Sequence, residues 1–193
     1  MKIGAIVALL AAATSDWAGE TGQTAERALT VCVETSGENL AYAAEALASK
    51  VFEAIGVNVT WRQGLKHCPP GSGAILVTLA LKTQERKRPG ALAYALPYEG
   101  THIVVYFDRV QKVGRERTML LLAYVLAHEI ALILEGVVRH SRSGIMKARW
   151  DNGDYFEMGN RRKPLEFARE DVLLIYESLD QRRFGLSASA GAQ

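Results

Sequence analysis

The alternation of apolar and polar residues divides the chain into strands and helices before any composition is considered. RALTVCVETS (27–36) is rich in β-branched side chains and predicts a first strand. Residues 37–56 follow with Leu40, Ala43, Ala44, Leu47, Val51 and Ile55 at helical spacing, and Gly56 is placed to stop that helix. VNVTWRQG (57–64) predicts a second strand, and AILVTLALK (74–82) a third, with the loop LKHCPPGSG between them. Strand, helix and strand in this order imply a right-handed crossover and a parallel pair. The stretch 91–110 reads as two extended runs joined around Pro97 and Gly100. Residues 91–96 are therefore expected as an antiparallel edge strand of a mixed sheet.

A long apolar run then predicts a central helix over about 115–135. Residues 136–164 read as irregular chain, 165–183 as an amphipathic closing helix, and 184–193 as a flexible tail. The expected fold class is α/β with an α+β-like character: a twisted sheet, mostly parallel, with one antiparallel edge and a central helix. No internal repeat interrupts this order.

Length and composition fit that picture. A chain of 193 residues with 49% hydrophobic content supports one well-buried domain, expected over 28–183. The formal charge of +2 is nearly balanced, and the basic clusters QERKRPG and GNRRKP carry no interleaved aromatics. Nucleic acid is not an expected partner. The apolar run 118–138 is long enough to cross a bilayer, but it contains His128, Glu129 and Glu135. Ionisable groups at mid-bilayer are costly, so a helix buried in a soluble domain is expected, with no span in the mature protein.

The N-terminus changes the picture of where the protein works. Lys2 precedes the apolar run 3–13, which is too short to span and ends among small residues. This predicts a signal peptide over residues 1–19, cleaved between 13 and 20, and a secreted or periplasmic location. In such a compartment Cys32 and Cys68 are an even pair, and a bridge between them is expected, with two buried free thiols as the alternative. Neither belongs to a C-x-x-C pair, which argues against thiolate zinc ligation and dithiol redox chemistry.

The candidate chemistry lies in VLAHEIALILEGVVRHSRSGIMKARW (125–150). Two histidines four residues apart on a helix can converge on one metal ion, and a glutamate beside the first can take a proton from metal-bound water. Here His128 and Glu129 stand in that order, but the position one turn on is Leu132. Gly136 can end the helix in a left-handed conformation and swing the chain back, which makes His140 the candidate distal ligand. Gly144 and Met146 then form a tight turn that could place a methionine beneath a metal.

This stretch resembles the metzincin clan of zinc metallopeptidases, whose pattern is H-E-x-x-H-x-x-G-x-x-H followed by a methionine-containing turn. The order of elements also matches, so the resemblance covers roughly 28–183, with specific motif residues only between His128 and Met146. It implies His128 and His140 as zinc ligands, Glu129 as the catalytic general base and Met146 as the Met-turn residue. It further implies peptide bonds as substrate, with an extended peptide or protein aligned along the edge strand. The chain departs from the pattern at Leu132, the substituted ligand position, and Gly136 and His140 come later than in the clan. Glu135 lies roughly 10 Å from His128 along the helix, too far to stand in. Asp151, Asp154, Tyr155, His67 and His102 are the other candidates for a replacement donor.

Two functions follow. One is a secreted zinc metallopeptidase-like protein with weak or substoichiometric zinc and impaired hydrolysis, since catalytic zinc normally keeps three protein ligands. The other is an inactive pseudopeptidase that binds peptides or proteins.

Overall fold

The computed structural model describes residues 27–35, 41–83, 89–96, 101–136 and 139–190, the side chains of 184–190 excepted. The expected signal peptide, the basic residues 84–88, the hairpin turn at 97–100 and the last three residues of the tail lie outside the described residues.

Five strands form one sheet. They are β1 (Arg27–Thr35), β2 (Val57–Gln63), β3 (Ile75–Ala80), β4 (Ala93–Ala95) and β5 (His102–Tyr106), in the spatial order β2-β1-β3-β5-β4. The β1–β2, β1–β3 and β3–β5 pairs are parallel, and β4 runs antiparallel to β5 at the edge. This is the mixed sheet and antiparallel edge that the sequence pattern predicts.

Burial along the strands shows which face carries the core. Ile75, Val77 and Leu79 are buried while the residues between them are only half-buried, the period-two signature of a sheet covered mainly on one side. Leu29, Val31 and Val33 of β1 and Ile103 and Val105 of β5 join them in one core. Against that face pack α1 (Tyr42–Glu53) and α3 (Thr118–Glu135), which also contact each other. Every residue of α3 from Leu121 to Leu134 is buried, which fits its mostly apolar composition.

Cys32 points to the opposite face from Val31 and Val33. There it forms a disulfide with Cys68, with a Cα–Cα distance of 6.2 Å, and the pair sits in a small second cluster with Ala74. The bridge pins the short 3-10 turn at Leu65–His67 and its loop against that face of the sheet.

Four sequence expectations need correction. The second extended run does not continue to Val110: β5 ends at Tyr106 and α2 (Phe107–Gly114) follows at once, burying Phe107 and Val110 on one side. The stretch 136–164 is not irregular throughout, because α4 (Asn152–Met158) forms within it. Its start is fixed by a reciprocal capping box, in which the Asp151 side chain accepts from the Asp154 N–H and the Asp154 side chain accepts from the Asp151 N–H. The last helix, α5, begins at Arg169 rather than 165, since the preceding residues stay extended and the Glu166 carbonyl accepts from Ile145. It also continues to Ala190, through a tail whose alanines are good helix formers.

The disulfide closes a loop with a sequence separation of 36 residues, so its loss should enlarge the unfolded ensemble. Replacing both cysteines by serine is expected to lower stability by about 2–4 kcal/mol, read from urea denaturation of the oxidised chain. An unchanged midpoint would show that the bridge contributes nothing.

Candidate active site

The site is built where α3 meets the turn that follows it. Helix α3 ends at Gly136, whose backbone is left-handed (φ 66°) and whose N–H bonds back to the Leu132 carbonyl. The chain then returns beneath the helix through residues 139–150. Within this segment Ser141 N–H donates to the Met146 carbonyl at 2.8 Å, and Ile145 N–H donates to the Glu166 carbonyl at 3.0 Å. Gly144 has a φ of 74°, and a Cβ there would lie 2.3 Å from the Glu166 carbonyl oxygen, so both conformation and space demand glycine. Ile145 and Met146 are fully buried and join the core, while Arg142 and Ser143 at the tip of the turn are exposed.

One carbonyl organises the ring cluster. The Ile145 oxygen lies 2.8 Å from His128 Nδ1 and 3.0 Å from Trp150 Nε1. A carbonyl can only accept, so the neutral His128 carries its proton on Nδ1 and leaves Nε2 with a lone pair. Burial holds His128 below the ordinary imidazole range, and the neighbouring His140 adds to that, against the opposing pull of the Ile145 bond and Asp171. The Trp150 ring meets His128 edge-on at 5.7 Å, fixing the imidazole plane from a second side.

The two sequence-predicted histidines come together. The His128 and His140 rings lie 5.4 Å apart at an interplanar angle of 27°. Two imidazoles that share one ion through nitrogens about 2 Å from it place their centres on the order of 5 Å apart, so this pair has the spacing to share one. Glu129 is buried beside His128 and lines the same cleft of about 580 Å³. The opposite wall is the edge-strand segment Ala91, Leu92 and Ala93, and the floor and rim include Val125, Lys147, Trp150 and Tyr155.

The third ligand does not come together. Leu132 is buried and offers no lone pair. Glu135 turns away from the cleft, into a buried cluster with Arg139 and Asp171. Asp151 and Asp154 both hold Lys147, at 2.7 and 2.5 Å, and cap α4. These bonds, Asp151 first, raise the Lys147 pKa and keep the amine charged. His102 sits on β5 beside Thr101, and His67 in the turn at Leu65–His67. Of the alternative donors, only Tyr155 lines the cleft. Among the described residues no group of three His, Cys, Asp or Glu side chains converges on a common point. The described donor set therefore does not fit a catalytic zinc with three protein ligands.

Sequence reasoning missed the support of His140. Asp171, on α5 and fully buried, accepts from both Arg139 and Ser141, the residues on either side of His140. No local motif announces it, because the partners are about thirty residues apart in sequence.

The architecture is a five-stranded, mostly parallel sheet with an antiparallel edge strand beside the cleft, a central helix carrying His128 and Glu129, and a turn that buries Met146. Among solved structures the chain is similar to archaemetzincin from Methanopyrus kandleri, with a TM-score of 0.51 and 16% identity, covering 80% of this chain and 97% of that one. Archaemetzincin from Archaeoglobus fulgidus, complexed with malonate, aligns with a TM-score of 0.48 and 16% identity over 77% of this chain and 99% of that one. No protein-family model matches the chain. No curated protein matches it in sequence.

The buried Glu135 carboxyl gives the fold a pH signature. Burial and the nearby Asp171 push Glu135 up to about 7, against the pull of Arg139. The folded state then binds a proton that the unfolded chain releases near 4.5, so this group lowers stability as pH rises from about 4.5 through 7. Glu135→Gln should remove that loss, gaining roughly 1–3 kcal/mol at pH 8 relative to pH 4.5, measured as the difference in urea stability between the two pH values. An unchanged pH profile would contradict the assignment.

Proposed function

We propose that this chain is an exported, metzincin-like peptide-binding protein whose hydrolytic centre has lost one of its three metal ligands. The observation that carries the reading is Leu132, buried one helical turn beyond His128 where the second imidazole would stand, with no convergent replacement among the described residues. The cleft itself is intact. Strand β4 pairs only with β5 among the described residues, and the β4–β5 register turns the backbone groups of Leu92, Tyr94 and Leu96 toward β5. By the alternation of an antiparallel ladder, the N–H and C=O of Ala93 and Ala95 face outward, where an extended peptide can add as a further strand. Arg109 already takes the Ala91 carbonyl at 2.7 Å, so strand addition starts at Ala93.

Export is supported by the disulfide, which persists in oxidising compartments. A second reading, residual zinc-dependent peptide hydrolysis, draws on the retained pair of imidazoles 5.4 Å apart with Glu129 beside them.

Metal content and casein handling separate the two. The purified chain is expected to carry well under one zinc per molecule by mass spectrometry and to bind casein-derived peptides without cutting them. Leu132→His is expected to raise zinc affinity by about tenfold or more, since a restored protein ligand adds both charge donation and preorganisation. One tightly held zinc on the wild-type chain, or casein cleavage that Glu129→Gln abolishes, would overturn the pseudopeptidase reading in favour of the hydrolase.

A further inference from the structure

His140 stands on the return segment and is exposed, and among the described residues its side chain has no hydrogen bond that would fix its direction toward His128. Its two chain neighbours are held instead. Arg139 Nη2 and Ser141 Oγ both donate to Asp171 Oδ1, each at 2.5 Å. Arg139 Nη1 also donates to Ser141 Oγ at 3.2 Å, and its Nη2 lies 3.5 Å from Glu135 on the last turn of α3. The Asp171 and Glu135 side chains are both fully shielded from solvent. The Ser141 N–H is committed to the Met146 carbonyl, so the backbone on the C-terminal side of His140 is also tied to the methionine turn.

We propose that Asp171 is the positioning residue that keeps His140 paired with His128. A single carboxylate oxygen on α5 gathers the residues before and after His140, and so decides where the imidazole between them can point. Charge-assisted bonds to a buried carboxylate are shorter and stronger than neutral ones, and two of them to one oxygen restrict the segment more than either alone. Glu135 holds the same arginine from α3, the helix that carries His128, so both histidines are referred to one buried cluster. The inference rests on the reading that His128 and His140 act as a pair facing the cleft.

Copper(II) is a suitable probe, because imidazole sites bind it more tightly than other divalent first-row ions and its paramagnetic resonance spectrum reports coordinating nitrogens. The full chain would be titrated with copper(II) alongside His140→Ala, which supplies the one-imidazole reference. Asp171→Ala is expected to lose about tenfold or more in affinity and to lose the second nitrogen from the spectrum, as removal of a residue that orients a ligand does. Asp171→Asn keeps an acceptor oxygen and is expected to recover part of that loss. Ser141→Ala leaves the ion pairs of Arg139 in place and is expected to weaken binding about threefold even if Asp171→Ala does not fold. Circular dichroism and melting temperature accompany each variant, so that the spectral change is compared between folded proteins. Wild-type affinity and a two-nitrogen spectrum in folded Asp171→Ala, or in Ser141→Ala where that variant does not fold, would overturn the positioning role alone. Wild-type binding no tighter than His140→Ala would overturn the pairing of the histidines, and the positioning role with it.

Discussion

The structure of the cleft depends on one acceptor, the carbonyl oxygen of Ile145. It receives the His128 Nδ1 proton from α3 and the Trp150 Nε1 proton from the far end of the return segment. That oxygen belongs to the fully buried Ile145, where an unpaired polar atom would cost free energy. The two donors satisfy it and are in turn fixed by it. The consequence reaches the chemistry directly: with Nδ1 committed to the turn, Nε2 is the nitrogen that His128 has left to offer.

The turn can present its carbonyl in this way because the chain on its other side is also held. Ile145 N–H bonds to the Glu166 carbonyl, and Gly144 permits the approach that any larger residue would block. The extended residues before α5 thus serve as the backstop of the site, and α5 itself supplies Asp171 to the segment around His140. Sheet, central helix, turn and last helix are coupled through a few buried polar contacts placed among apolar packing. The disulfide cluster on the sheet's other face takes no part in the cleft.

Much of this arrangement was legible in the sequence where the signal is local. The short apolar run at 74–82 marked a strand, and the long apolar run before Gly136 marked a buried helix with a left-handed stop. The order of His128, Gly136, His140 and Met146 made the two histidines candidate ligands in the sequence, and in the structure their rings lie 5.4 Å apart with Met146 buried. Short helices were harder to read. In α2 the apolar residues Phe107 and Val110 continue a strand-like run without a break, and α4 contains Gly153 in its first turn. Its start was nonetheless encoded in Asp151 and Asp154, spaced as a capping box. Asp171 was not legible at all, because its meaning depends on residues that only the folded chain brings beside it.

The central claim is that Ile145 fixes the tautomer and direction of His128, and nitrogen-15 resonance of the imidazole side chains at neutral pH tests it most directly. The account predicts a neutral His128 with a proton on Nδ1 and a bare Nε2. A neutral ring with the proton on Nε2 and a bare Nδ1 would contradict it, because that tautomer cannot donate to the Ile145 carbonyl.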